Sequence, residues 1–215
     1  MKEFIAAFGS GIISTIICNP LDTIRINYQL KNSINFKLDY LYKGISYGLI
    51  AIPAFWTIYF PFYKKLKETD IYMPVSAYIA CCTASTFTTP FWVLRQRIQT
   101  DKGIQGMTLA KCYRGLIPTY LINLNFTVQI PIYEFLKDRT DNSTFSTFLN
   151  TSISKTVSAC VFYPMDTIRA KIRNSDPIRS IKFIEYYRGM SIYLIRSIPY
   201  HATVFCTFEY IKNLM

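Results

Sequence analysis

Stretches without a charged side chain alternate with short polar segments along this chain. The uncharged runs cover 4–21, 45–62, 71–94, 115–133, 142–165 apart from Lys155, and 189–208 apart from Arg196. A membrane-spanning helix needs about 20 mostly apolar residues, so the pattern predicts six spans. Ser, Thr, Asn and Gly occur within the runs, which is typical of helices that face a polar interior rather than lipid all round. We therefore expect an all-α membrane protein with six transmembrane helices.

A proline followed by an acidic and a basic residue recurs in every second run. The motif reads Pro20-Leu21-Asp22-Thr23-Ile24-Arg25, then Pro90-Phe91-Trp92-Val93-Leu94-Arg95 with tryptophan at the acidic position, then Pro164-Met165-Asp166-Thr167-Ile168-Arg169. The prolines lie 70 and 74 residues apart, and a Tyr-[Lys/Arg]-Gly triplet follows each one. Such a period indicates a repeat protein. We expect one domain of three pseudo-symmetric two-helix repeats, 1–70, 71–141 and 142–215.

The composition narrows the class of protein further. Charged residues make up 17% of the chain, against about 25% in soluble domains. The net charge of +11 is typical of basic loops beside a membrane and of attraction to anionic lipid head groups. No nucleic-acid partner is expected, because the uncharged runs leave no room for a basic patch on a soluble fold. The first run starts within four residues of Met1, so no cleaved signal is expected.

Metal and catalytic sites are not expected either. The six cysteines show no metal-ligand spacing with one another or with His201, the single histidine. Most of them lie in predicted spans, where cysteine behaves as a small apolar residue. The sequence contains no nucleophile–base constellation and no glycine-rich phosphate loop, so we expect neither an enzyme nor a cofactor.

The recurring acid and base indicate a function in which charges meet and separate. Residues three apart lie on one face of a helix, and charges within a membrane avoid lipid by facing the bundle interior. Beyond a proline kink, the charges of neighbouring helices can meet. A partly solvated ion pair stabilises by under about 1 kcal/mol, which suits a contact that opens in every cycle. The alternative is that these charges only cap and anchor helices at the membrane surface.

These motifs resemble those of the mitochondrial carrier family. The family carries Pro-x-[Asp/Glu]-x-x-[Lys/Arg] on odd-numbered helices, an aromatic-[Lys/Arg]-Gly triplet afterwards, and [Phe/Tyr]-[Asp/Glu]-x-x-[Lys/Arg] on even-numbered helices. The resemblance extends over essentially the whole chain. It implies six tilted helices around a central cavity, in a multi-pass monomer of the inner mitochondrial membrane. It also implies transport by alternating access, with one charge network closing the cavity on the matrix side and another on the cytoplasmic side.

The resemblance implies a matrix-side gate made of ion pairs between neighbouring repeats. Carried over to this chain, Asp22 would pair with Arg95, and Asp166 would pair with Arg25. Each pair joins the acid of one repeat to the base of another. Opening this side of the cavity would require both pairs to separate.

The second repeat departs from this gate pattern. Arg169 would meet an acid on the third helix, where this chain has Trp92. Tryptophan there is similar to carriers of nucleotides, folate or dinucleotide cofactors, and the alternative is an anchor at the membrane interface. The family's brace glutamines are matched by Gln29 and Gln99, whereas Arg173 stands at the third brace position.

The resemblance also implies a cytoplasmic-side gate. Its pairs would be Glu134 with Lys212, and Glu209 with Lys67. Lys137 would face Lys64, which stands at the position of its acidic partner. Each of the two gates would therefore keep two of its three pairs. Because both gates are weakened, the states closed on either side can still be similar in free energy, as alternation requires.

Two further features of the family are carried over. Its brace tyrosines are matched by Tyr63 and Tyr133 on the cytoplasmic side. Its lipid sites, which hold cardiolipin, would lie around the triplet glycines Gly44, Gly115 and Gly189. Bound membrane lipid, cardiolipin in particular, is thus an expected partner.

The predicted spans carry basic residues and no acid outside the gate motifs, which favours an anionic substrate. The family's contact points fall seven and eight residues after each triplet glycine, and here they are Ala51, Ile52, Ile122, Asn123, Arg196 and Ser197. Arg196 would clamp a phosphate or carboxylate with its planar fork. Asn123 would face a ring or would make an interhelical hydrogen bond. Lys155 would be a second anion contact or would extend towards the membrane surface.

We expect a carrier that exchanges a small anionic metabolite, with nucleotides or deoxynucleotides as the first candidates. The alternative is a degenerate carrier fold that serves as a membrane receptor or scaffold without transport. Trp92, Lys64 and Arg173 favour the alternative, while Arg196 and the four remaining gate pairs favour transport.

Overall fold

The computed structural model describes residues 2–69, 72–140, 143–177, 182–197 and 199–200, and within these ranges it contains helices and no strand. The helices are α1 (Lys2–Gln29), α2 (Leu38–Leu41), α3 (Ile45–Lys67), α4 (Met73–Gln99), α5 (Leu109–Cys112), α6 (Leu116–Asn123), α7 (Asn125–Lys137) and α8 (Thr144–Asn174), followed by the 3-10 helix η1 (Phe183–Tyr187) and a helical segment at 190–197. The predicted all-α class is confirmed for the described residues.

Three long helices carry the proline motifs. Pro20 lies inside α1, Pro90 inside α4 and Pro164 inside α8. Each helix continues for nine or ten residues beyond its proline, so the motif residues that follow the proline remain on the helix. A proline removes one backbone hydrogen bond without ending the helix when the surrounding packing holds it.

The same turn ends each of these three helices. Lys31, Asp101 and Ser175 follow the three prolines by eleven residues and adopt left-handed backbone angles, with φ of 62°, 54° and 61°. The amide of the next residue then donates to a carbonyl five residues back, as from Asn32 to Asn27 at 2.9 Å. This is the hydrogen-bond pattern of a Schellman turn, and it sends the chain sideways into the linker.

The uncharged run 115–133, predicted to form one span, is interrupted. Helices α6 and α7 are separated at Leu124, where the amide bonds Leu121 only three residues back at 3.3 Å. The amide of Thr127 likewise bonds Leu124 at 2.9 Å. These tighter bonds replace the α-helical pattern locally.

Helices α1, α3, α4, α6 with α7, and α8 pack against one another in chain order, and the segment 190–197 contacts α1. Their buried side chains are largely polar, including Asn19, Asn27 and Thr88 at 0% exposure. Large apolar side chains point outward instead, among them Phe87 and Ile117 at 59% and 73% exposure. This distribution is the reverse of that in a water-soluble bundle.

One helical stretch in the described part of the chain, Leu38–Lys67, is long and apolar enough on its own to cross a membrane. The other long helices are less apolar because their inward faces carry Ser, Thr, Asn and Gln. The six-span arrangement and the repeat boundaries stay predictions.

Candidate functional site

The helices enclose a cavity of about 440 Å³. Its aromatic lining includes Phe55, Trp56 and Trp92. Among the described residues its charged lining consists of one acid, Asp22, and six bases: Arg25, Arg95, Lys155, Arg169, Arg173 and Arg196. The described residues contain no cluster of three or more His, Cys, Asp or Glu side chains. The described charged lining of this cavity is therefore predominantly basic, and it lies beside aromatic surfaces.

Asp22 is shared between two arginines from different elements. Arg95 Nη2 of α4 lies 3.3 Å from Asp22 Oδ2 and also donates to Asn19 Oδ1 at 2.7 Å. Arg196 Nε lies 3.1 Å from Asp22 Oδ1, close enough for an ion pair although not aligned for a hydrogen bond. The residue predicted to clamp substrate is thus in contact with a residue predicted to form the gate.

Asp166 is likewise shared between two arginines. It forms ion pairs with Arg25 of α1 and, one turn away on its own helix, with Arg169. The guanidinium of Arg25 lies 4.7 Å from the ring centre of Tyr193 and 5.6 Å from that of Tyr163. The structure therefore brings together both predicted pairs, Asp22 with Arg95 and Asp166 with Arg25. Their role as a gate stays a prediction.

Glutamines next to these pairs hold the long helices together. Gln29 Nε2 donates to Thr167 Oγ1 at 2.9 Å, and Gln99 Nε2 donates to Thr23 Oγ1 at 3.1 Å. Each threonine in turn donates to a linker carbonyl, that of Tyr186 at 2.6 Å and that of Leu41 at 2.9 Å. Sequence reasoning missed the threonines, although both directly follow the motif acid.

The second and third repeats meet differently, at a place we call the third corner (Trp92, Val93, Arg169 and Arg173). Trp92 stands where an acid would meet Arg169, and its ring lies 5.3 Å from the guanidinium of Arg95. Val93 has no hydroxyl for a brace. Arg173 replaces the brace glutamine, and its Nη2 contacts Thr119 Oγ1 at 3.2 Å.

The triplet glycines pack against the arginine-bearing helices. Gly44, Gly115 and Gly189 have φ of 73°, 80° and 86°. A Cβ on Gly44 would lie 2.9 Å from the carbonyl oxygen of Arg95, and one on Gly189 would lie 3.5 Å from that of Arg25. Sequence reasoning linked these glycines to lipid, whereas in the structure they also allow a linker to approach a neighbouring helix closely.

Four of the predicted substrate contacts line the cavity: Ile52, Asn123, Lys155 and Arg196. Asn123 also donates to Ser85 Oγ at 3.0 Å, so the interhelical hydrogen bond is present as well. Ala51 is fully buried. The described lining of the cavity does not include Ala51, Ile122 or Ser197.

The opposite end of the bundle carries the predicted cytoplasmic-side residues. Lys67, Glu134 and Lys137 are exposed. Tyr133 is partly exposed on α7. Glu209 and Lys212 lie outside the described residues, so the pairs Glu134–Lys212 and Glu209–Lys67 stay predictions.

An aromatic ladder runs along α3 from the cavity towards this end. Tyr63 stacks on Tyr59 with ring centres 5.6 Å apart, and Tyr59 stacks on Phe55 at 6.0 Å. The interplanar angles are 6° and 10°, because residues four apart share one helix face. Tyr63 thus ends a stack that begins at the cavity wall.

Comparison with known proteins places this site in context. No family model matches the chain. The chain is 25% identical to mitochondrial substrate carrier family protein W of Dictyostelium discoideum, with 100% of this chain and 87% of the relative covered. It is 23% identical to the mitochondrial FAD carrier protein FLX1 of Saccharomyces cerevisiae, with 99% and 96% covered. It is 24% identical to the mitochondrial nicotinamide adenine dinucleotide transporter 2 of Arabidopsis thaliana, with 97% and 79% covered.

These relatives are named as carriers or transporters rather than as enzymes. The matched regions span 97–100% of this chain. The resemblance to the mitochondrial carrier family that the repeated motifs indicate is therefore confirmed.

Proposed function

We propose that this protein carries an anionic metabolite across the inner mitochondrial membrane by alternating access. The observation that supports this most directly is Asp22, which contacts both the gate residue Arg95 and the substrate residue Arg196. A substrate anion that binds Arg196 would compete with Asp22 for the guanidinium. Binding would thereby weaken one of the contacts that hold the matrix side closed.

A membrane location is supported by the distribution of side chains. Apolar residues point outward from α1, α4 and α8, while Asn, Thr and Gln side chains fill the interior. Outside a membrane so many exposed apolar side chains would favour aggregation. Lipid satisfies the outer face, and interhelical hydrogen bonds satisfy the inner one. The mitochondrial relatives support the choice of membrane.

The conformation described here corresponds to a state closed at the ion-paired end, which the resemblance assigns to the matrix side. The side chain of Arg95 is 8% exposed, and that of its partner Asp22 is 21% exposed. Arg25 and Asp166 are each 13% exposed. At the other end Lys67, Glu134 and Lys137 are exposed. The cost of desolvating both charges offsets much of their attraction, so pairs of this kind can separate in each cycle.

Nucleotides or deoxynucleotides are the substrates that the cavity supports best. Arginine guanidinium groups bind phosphate oxygens in pairs, and Phe55, Trp56 and Trp92 offer surfaces for a planar base. Two relatives are named for carrying FAD and NAD, which combine phosphates with planar rings. The same combination of groups is present in a free nucleotide.

Uptake into liposomes tests the proposal. Reconstituted protein, with unlabelled nucleotide inside the vesicles, is offered radiolabelled ribonucleotides, deoxynucleotides, FAD and NAD. Arg196→Ala is expected to lower uptake by roughly 10- to 100-fold, because a charged hydrogen bond contributes about 1.5–3 kcal/mol. Arg97→Ala is the matched control, since partly exposed Arg97 donates to the Gly103 carbonyl outside the cavity.

The same experiment distinguishes transport from the alternative function. A receptor or scaffold would bind without exchange, so absence of uptake for every anion in a broad screen would favour that role. Uptake that Arg196→Ala leaves unchanged would show that the substrate binds elsewhere.

A further inference from the structure

We propose that the third corner holds a second anion-binding site, formed by Thr119, Arg169 and Arg173, which takes a phosphate group. This inference rests on the proposed function for its biological role, but the site can be tested by binding alone. The phosphate group belongs either to the carried nucleotide or to free inorganic phosphate.

Among the described residues, the charges at this corner are only partly balanced by acids. Arg169 and Arg173 are four apart on α8, so both lie on one helix face and repel each other. Asp166 is the acid paired with Arg169, and it is also paired with Arg25. Within the described residues, Arg173 forms no ion pair. A bound anion would supply the missing negative charge.

Arg173 is buried and incompletely hydrogen-bonded. Its exposure is 6%, and its Nη2 contacts the neutral hydroxyl of Thr119. Its Nε has no hydrogen-bond partner among the residues that the structure describes. A buried guanidinium in this state is costly unless an acceptor reaches it. Because Arg173 lines the cavity, a ligand oxygen can be that acceptor.

The backbone at Gly115 makes room for both arginines. A Cβ on Gly115 would lie 3.2 Å from Arg173 Cγ and 3.4 Å from Arg169 Cγ. The glycine, at φ of 80°, therefore lets the two stems lie side by side against the linker while their guanidinium groups line the cavity. Two adjacent planar forks present several donors to one tetrahedral oxyanion.

The other two corners show what the anion would replace. At those corners a motif aspartate meets an arginine, and a glutamine bonds a threonine. At the third corner the aspartate is Trp92, the threonine is Val93 and the glutamine is Arg173. The chain has exchanged an acid and a neutral brace for an apolar pair and an extra base. A phosphate group at this position would join Arg169 and Arg173 as a carboxylate joins the arginines elsewhere.

Calorimetric titration of the purified protein in detergent tests the site. Inorganic phosphate and a nucleoside triphosphate are titrated separately at constant ionic strength. Arg173→Gln is expected to weaken binding by roughly 10- to 100-fold, the effect of about 1.5–3 kcal/mol. Glutamine is the residue at the equivalent positions Gln29 and Gln99, so this variant suits the fold. Arg97→Gln removes a charge outside the cavity and is the matched control.

The two probes distinguish the source of the phosphate group. Saturable binding of inorganic phosphate that needs Arg173 supports the site as a free-phosphate site. Binding of the nucleotide alone, again dependent on Arg173, supports it as a site for the substrate's own phosphate. Equal affinities in the parent protein and in Arg173→Gln, or no binding of either probe, would overturn the proposal.

Further variants separate folding and transport from binding. Arg173→Lys keeps the charge but loses the fork, so an affinity between those of arginine and glutamine is expected. Melting temperatures near that of the parent protein show that the variants fold. If uptake occurs but Arg173→Gln binds normally, the site fails and the carrier function stands. If phosphate binding needs Arg173 but no anion is taken up, the site stands and the carrier function fails.

Discussion

At the scale of single residues, Asp22 connects two roles that the sequence keeps apart. The motif places Asp22 in the gate, and the position after Gly189 places Arg196 among the substrate contacts. The structure joins them at 3.1 Å, and Arg95 approaches the other carboxylate oxygen at 3.3 Å. Sequence spacing could not show this contact, because Arg196 reaches Asp22 only through the packing of the segment 190–197 against α1.

Replacing Asp22 with asparagine removes the acid that competes with substrate for Arg196. Asp22→Asn is therefore expected to tighten nucleotide binding by roughly fivefold, the effect of an ion pair worth about 1 kcal/mol. The melting temperature should fall, because Arg95 and Arg196 both lose their charged partner. Calorimetric titration and thermal unfolding in detergent measure the two effects.

Asp39→Asn on α2 is the control for loss of one exposed negative charge. An affinity that falls in Asp22→Asn but not in Asp39→Asn would contradict competition at Arg196. It would show instead that Asp22 orients Arg196 for the substrate.

A comparison of two glycine substitutions distinguishes the cost of backbone strain from the cost of close packing. Gly44 and Gly103 have similar φ of 73° and 64°, but an added Cβ meets the Arg95 carbonyl oxygen at 2.9 Å in Gly44 and nothing within 4 Å in Gly103. Gly103→Ala is expected to cost about 1–2 kcal/mol, the left-handed penalty alone. Gly44→Ala adds an overpacking cost of about 1–3 kcal/mol. Thermal unfolding should rank parent, Gly103→Ala and Gly44→Ala in that order, and equal melting temperatures for the two variants would contradict the contact.

At the scale of elements, the long helices were predictable and their interruptions were not. The first uncharged run, 4–21, and the motif base Arg25 that follows it both lie within α1, which covers Lys2–Gln29. The break at Leu124 lies inside an uncharged run, and the local signal for it is weak: asparagine, which favours helix ends, stands on either side. The third corner depends on Gly115 of one repeat meeting α8 of the next, which local sequence cannot show.

The linkers are tied to the ends of the long helices by ion pairs. Lys31 at the end of α1 donates to Glu185 of η1 at 2.6 Å, and Lys102 after α4 donates to Asp176 after α8 at 3.0 Å. Lys43 pairs with Asp101 in the same way. Each of these pairs joins two of the predicted repeats on the side where the ion-paired end lies.

The pair at Glu185 makes the stability of this side depend on pH. The hydrogen bond from Lys31 lowers the pKa of the Glu185 carboxyl below its usual range. A carboxyl group whose pKa is lower in the folded than in the unfolded state stabilises the fold at pH values above the unfolded-state pKa. This contribution disappears as the pH falls through the folded-state pKa. The melting temperature of Glu185→Gln should therefore lie below that of the parent at neutral pH, and the difference should be lost at an acidic pH below the lowered pKa.

Glu68→Gln, at an exposed carboxylate after α3, controls for the general effect of acid on net charge. The same melting difference at both pH values for Glu185→Gln would show that Lys31 does not stabilise the ionised carboxylate.

At the scale of the whole molecule, the two ends of the bundle differ in charge and burial. One end brings together Asp22, Asp166 and their arginines in partly buried contacts, while Lys67 and Glu134 at the other end are exposed. A carrier that alternates must be able to open the ion-paired end and close the exposed one. The relative strength of the contacts at each end then sets which state is populated.

Trp92→Asp changes that balance by completing the third corner. An aspartate at this position lies where the motif acids of α1 and α8 lie, so it should draw Arg169 away from Asp166 and form a third pair between helices. One added pair worth about 1 kcal/mol shifts the equilibrium roughly fivefold towards the state closed at the ion-paired end. Exchange in liposomes should slow accordingly, because opening that end then requires one more contact to break.

Trp92→Phe keeps an aromatic ring beside Arg95 without adding charge, so it isolates the loss of the indole. Labelling of single cysteines from each side of the liposome reports which end is open. We expect Trp92→Asp to reduce labelling from the ion-paired side, while Trp92→Phe labels as the parent does. If Trp92→Asp leaves both exchange and labelling unchanged, Arg169 is not part of the closing network, and its place in the third corner has to be explained by anion binding alone.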